Sequence, residues 1–244
     1  MEKQYELIPA RFRVLSGSAL KLLAVVTMLI DHIGAHLLKN DKTVLFTMLG
    51  KDITRYTAMR TVGRIAFPIF AFLLVEGFLH TRSKKRYAGR LLLFALLSEL
   101  PWDLLHSGVL WNPKTQNVMF TLLLGFLGMC VIERMDKDPA ERPRWALALL
   151  GLLAVSCFFG ADYGCSGFGF ILMLYLFRSR PLYQAVLGAC FLSARWKAGL
   201  AFLPLSLYSG KRGLARSRFV SILFYAFYPV HMLVLYCIKY KVFG

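Results

Sequence analysis

The chain is short of acid. Its 244 residues hold 13 Asp and Glu against 30 Lys and Arg, a formal net charge of +17. In a soluble protein that balance would point to nucleic acid. Here the bases lie mainly between apolar runs, as topology signals and lipid-headgroup contacts do, so no nucleic-acid partner is expected. Cysteine is sparse as well. Cys130, Cys157, Cys165, Cys190 and Cys237 show no CxxC spacing and mostly sit in or beside apolar runs. They read as small buried hydrophobes, not as a disulfide framework or a zinc site. A cleavable leader pattern is missing too: Glu2 and Glu6 interrupt the charged start, and no apolar stretch begins before Leu20. The first span is therefore expected to be an uncleaved anchor. With no internal repeat or low-complexity tract, one domain over 1–244 is expected.

What the chain has is apolar length: 57% of residues are hydrophobic, 14% aromatic, and mean hydropathy is +0.56. That excludes an ordinary soluble domain. Runs bounded by charge or by Pro and Gly fall at about 18–38, 61–80, 88–106, 118–133, 144–160, 165–177, 182–194, 197–208 and 219–239. The expected fold is all-α, a polytopic integral membrane bundle of about nine (eight to ten) transmembrane helices. Those between 165 and 208 are short, and Pro181 and Pro204 suit broken or re-entrant helices. Basic clusters come after the second run (Arg82, Lys84, Lys85, Arg86, Arg90), the fourth (Arg134, Lys137, Arg142, Arg144) and the eighth (Lys211, Arg212, Arg216, Arg218). By the positive-inside rule this predicts a plasma-membrane protein with a cytoplasmic N-terminus. The 39–60 loop conflicts, carrying Lys39, Lys42, Lys51, Arg55 and Arg60 on the outer side.

The first span organises the rest. LKLLAVVTMLIDHIGAHLL (20–38) carries Lys21 near one end and Asp31-His32 within, roughly 16 Å further along a helix. Ionisable groups in hydrocarbon are costly unless paired or functional. His36 shares the face of His32, but two histidines without a third ligand nearby make a weak metal signal, and no metal is expected. In the antiparallel second span, Arg64 and Glu76 lie roughly 18 Å apart. Lys21 is thus expected to face Glu76, and Asp31 to face Arg64. Glu99 and Asp103, four apart about Pro101, reach the depth of His32, as do Asn117, Thr121, Tyr228 and His231. A histidine held near carboxylates has the basicity and fixed tautomer of a general base. Asp31, adjacent to His32, points about 100° away, so Glu99 or Asp103 is the better orienting group.

The segments LKLLAVVTMLIDHIGA (20–35), GRIAFPIFAFLLVEGF (63–78), LLSELPWDLL (96–105), NVMFTLLLG (117–125) and FYAFYPVHML (224–233) together resemble the TraX family, named for the protein that acetylates the N-terminus of F-type conjugative pilin. That family is similar in turn to a wider group of transmembrane acyltransferases whose first span carries a basic residue, ten others, then a histidine. Lys21 and His32 match this spacing, with Lys in place of the usual Arg, which keeps the charge and loses the planar fork.

The resemblance implies acetyl-CoA as donor, from the cytoplasm, and an acceptor arriving from the other side or the membrane plane. A peptide or pilin-like N-terminus and a cell-surface glycan are both open as acceptor. On this reading His32 is the general base, with Asp31, Glu99, Asp103 and Arg64 around the reaction. Lys21, Glu76, Arg82, Lys85 and Arg86 lie at the donor end, and Asn117, Tyr228 and His231 at the acceptor. Arg64 or Asn117 would steady an oxyanion. Two rivals use the same residues: a proton-coupled transporter, in which buried His and carboxylates relay protons, and a scaffold whose ions only fix packing.

Overall fold

The computed structural model describes residues 9–48, 50–191, 198–213 and 218–243. Arg216 and parts of the runs at 182–194 and 197–208 lie outside them. Helix α1 (Gly17–Leu37) starts where Ser16 accepts the Ala19 N–H at 3.2 Å, a side-chain N-cap. A hairpin of β1 (Val44–Met48) and β2 (Lys51–Thr54) then leads into α2 (Arg55–Gly63), capped by Thr54, and α3 (Ala66–His80). Ser83 opens α4 (Lys84–Ser107), which runs unbroken through Pro101 and ends at Gly108, whose φ of 69° supplies the left-handed closing turn. Next come α5 (Val118–Lys137), α6 (Arg142–Phe158), α7 (Gly164–Leu176), α8 (Pro181–Phe191), the short α9 (Phe202–Ser206) and α10 (Arg218–Phe243).

Among the described residues, four stretches are long and apolar enough to cross a membrane: Gly17–Leu37, Arg55–His80, Val118–Lys137 and Ile222–Lys241. The expectation of about nine spans is therefore corrected among the described residues. A span needs about 20 apolar residues. The 17 residues of α6, 13 of α7 and 11 of α8 fall short, and α4 carries Arg90, Glu99 and Asp103 along its apolar stretch. The hairpin corrects the all-α expectation. The chain is that of a largely helical membrane protein.

Helices α1, α3, α4, α5, α7 and α10 pack around one apolar core, in which Phe78, Phe126, Phe170 and Leu174 are fully buried. Small residues let helices approach: Gly125 and Gly128 of α5 lie against Ile171, Phe168 and Leu172 of α7. Helices α1 and α10 run parallel, since Lys21 lies by Phe224 and His32 by His231. Two loop pairings fix the ends. Leu15 bonds to Leu207 and Ser209, and Gln116 bonds to Gly160 and Asp162.

Candidate active site

Four of the five histidines gather where α1, α4 and α10 meet. His32 Nδ1 lies 2.7 Å from His231 Nε2, and the two rings stack at 4.9 Å. His231 Nδ1 lies 2.8 Å from the Phe227 carbonyl, which only accepts. A neutral His231 therefore carries its proton on Nδ1 and accepts through Nε2. His32 must donate from Nδ1, so its Nε2 holds the lone pair. This is the tautomer a general base needs, set by a histidine 199 residues away in sequence. His36 and His106 form a second pair with ring centroids 4.4 Å apart, and His106 Nδ1 donates to the Trp102 carbonyl at 3.1 Å.

The carboxylates are engaged elsewhere. Both Glu99 oxygens accept from Asn117: Oε1 from its backbone N–H at 3.2 Å, Oε2 from its amide at 2.8 Å. Asn117 also donates to the Ala95 carbonyl and caps α5 through the Met119 N–H. Asp103 is fully buried and accepts from the Asn112 N–H at 2.8 Å. The partner that orients His32 is thus His231, in the place the sequence assigns to Glu99 or Asp103. The two acids instead clamp α4 to the loop at 112–117 and to the start of α5.

Asp31 is ion-paired with Arg60, not Arg64. Arg60 lies one turn before Arg64 on the same face of the helix, and it is this earlier arginine that reaches Asp31. Gly63 makes this approach possible: a Cβ there would fall into the Asp31 side chain. Lys21 does not pair with Glu76 either. It lies 5.6 Å over the Phe224 ring, while Glu76 accepts from the Tyr208 hydroxyl at 3.1 Å, with His80 at 4.0 Å. Arg82, Lys85 and Arg86 are exposed around the turn from α3 to α4, at the Lys21 end.

Two cavities lie between these ends. One of about 100 Å³ is lined by Lys21, Tyr87, Phe224 and Tyr225 among others. A second of about 60 Å³ is lined by Asp31, His32, Gly63, Trp102, Asp162 and Tyr163. Met28, Phe70, Val118, Leu122 and Tyr228 border both, so the two cavities adjoin.

Asp162 and Tyr163 are site residues that sequence reasoning missed. Thr121 and Gln116 hold the Asp162 backbone, and Tyr163 sits at φ 68°, rare for a residue with a side chain. Its ring stacks on Phe67 at 3.8 Å. Their one sequence signal is an acid and an aromatic inside GADYG, between two apolar runs. Arg60 and His106 were missed as well, and His36 stood out only as a weak metal candidate. Among the described residues, no group of three or more His, Cys, Asp or Glu side chains has a metal-binding arrangement.

The family model described as TraX protein matches residues 16–239, nearly the whole chain. The chain belongs to the TraX family. Among curated relatives it is 30% identical over 249 residues to the probable fimbrial assembly protein FimC, serogroup H1, of Dichelobacter nodosus, covering 90% of this chain and 94% of that one. No solved structure matches. In this TraX protein the segments that carried the resemblance supply lining to the two cavities, among them Lys21 and His32 of α1, Phe70 of α3, Trp102 of α4, Leu122 of α5 and Tyr228 of α10.

Proposed function

We propose that this TraX protein is a multi-pass membrane acetyltransferase that moves an acetyl group from cytoplasmic acetyl-CoA to an amine or hydroxyl at the far side of the membrane. The observation that carries this reading is the pair of adjoining cavities, running from Lys21 at one end to His32 at the other, with His32 held in the base tautomer by His231. The donor would enter at the Lys21 end, where Arg82, Lys85, Arg86 and Arg212 supply cations for phosphate. The mostly apolar lining around Phe224 and Tyr228 would suit a thioester arm, while the nucleotide would stay at the basic end. In the positive-inside orientation, this end is cytoplasmic and the histidines lie toward the outer face.

His32 Nε2 would take the proton of the acceptor as its nitrogen or oxygen attacks the thioester carbonyl, and the proton would pass to the departing CoA thiolate. Asn117 contributes by clamping α5, while Asp31–Arg60 and Asp162 shape the acceptor end. The acceptor class is drawn from the family and the fimbrial relative: an exported peptide N-terminus, with a surface glycan as the other candidate.

The test is acetyl-CoA binding and slow hydrolysis by purified protein in detergent, wild type against His32→Ala. Retained binding with hydrolysis lowered by about 10²–10⁴-fold supports the reading. Failure of both proteins to bind at concentrations well above cellular acetyl-CoA overturns it and favours proton-coupled transport, for which proton flux in liposomes is the direct measurement.

A further inference from the structure

The β1–β2 hairpin lies outside the site just described, and its sequence breaks the charge rule that orients the rest of the chain. Residues 38–43 are all that separate α1 from β1, and β2 passes into α2 without a gap, so the hairpin sits at the level of the helix ends. A free two-stranded hairpin is marginal in water. This one also exposes its apolar residues: Val44 is 47% exposed, Leu45 50% and Phe46 53%. An irregularity in the register between Val44 and Phe46 displaces Leu45 from the ladder.

The charges around it are sorted. Asp41 pairs with Arg55 at 3.2 Å and caps the Thr43 N–H at 2.8 Å, and Asp52 accepts from the Thr47 hydroxyl at 2.6 Å. Lys39 and Lys42, before β1, and Lys51, at the start of β2, are exposed on either side of the apolar segment 44–46. Apolar and aromatic side chains ringed by lysine, at the height where helices leave the hydrocarbon, have the composition of a segment lying in the headgroup layer.

We propose that the β1–β2 hairpin is an anionic-phospholipid contact, with Val44, Leu45 and Phe46 seated among the headgroups and Lys39, Lys42 and Lys51 against lipid phosphates. The basic 39–60 loop then serves lipid binding and not topology.

Hydrogen exchange read by mass spectrometry tests this on the full chain in nanodiscs of phosphatidylglycerol or phosphatidylcholine. Exchange over 43–54 should slow in the anionic lipid by about fivefold for each lysine engaged. The slowing should disappear in the Lys42→Glu, Lys51→Glu double variant, with exchange in α1 and α10 unchanged. Equal exchange in the two lipids, slowing that survives the charge reversals, or protection that requires an added acceptor peptide would each overturn the assignment. The last outcome would mark the hairpin as a peptide-docking edge.

Discussion

Replacing His231 with Phe asks whether the histidine pair is a working unit. His231 is buried between Phe227, stacked at 4.8 Å, and His32, stacked at 4.9 Å. A phenyl ring of similar footprint preserves both stacks. What is lost is chemical: the Nε2 acceptor 2.7 Å from His32. During proton uptake His32 becomes an imidazolium, and the bond it donates from Nδ1 becomes charge-assisted. Such a bond contributes about 1.5–3 kcal/mol, so kcat should fall about 10–150-fold. The KM for acetyl-CoA should hold, because the Lys21 end is untouched. His231→Gln returns a carbonyl acceptor at similar reach and should recover much of the loss. CoA should be quantified by mass spectrometry, since the free cysteines would react with a thiol dye. A fully active Phe variant, or a Gln variant no better than Phe in a folded protein, would refute the positioning role.

Other substitutions test the frame. A double-mutant cycle between Asp31→Asn and Arg60→Gln should show coupling of about 1–2 kcal/mol in thermal or denaturant unfolding, this being a partly exposed pair, while Asp31→Asn with Arg64→Gln should be additive. Gly63→Ala drives a methyl into Asp31 and should cost about 1–3 kcal/mol, read as a lowered Tm. Gly89→Ala, with open space at its Cβ position, should be neutral or slightly stabilising. Asn117→Ala removes the α5 cap and one Glu99 donor and should destabilise by about 2–4 kcal/mol. Unfolding no easier than wild type would show that the α4–α5 clamp is not structural.

The parts legible in the sequence were those with a strong local signal. The long apolar helices α1, α5 and α10 fall close to the expected runs, because length and capping residues such as Asn117 mark them directly. The depth of His32, Glu99, Asp103, Asn117, Tyr228 and His231 also comes from helical rise alone. Pairing within that layer does not. Arg60 and Arg64 share a face one turn apart, and an apolar run counted from 61 leaves Arg60 outside the span, so the sequence points to the wrong one of the two. The His32–His231 bond joins opposite ends of the chain, so local periodicity carries no trace of it. Asp162 and Tyr163 lie in a loop whose shape depends on backbone bonds to Gln116 and on the left-handed Tyr163. The span count failed because α6, α7 and α8, though too short to cross a bilayer, carry the same local apolar signal as a span.

The parallel pairing of α1 with α10 has a consequence for biogenesis. His32, the base of the proposed reaction, is made with the first helix, but His231, which accepts its Nδ1 bond, belongs to the last. A chain still on the ribosome, or cut short before α10, carries His32 without its acceptor. On the proposed reading, competence would arrive only when the final helix inserts beside the first, and the order of synthesis would itself keep a half-made protein from spending acyl donor.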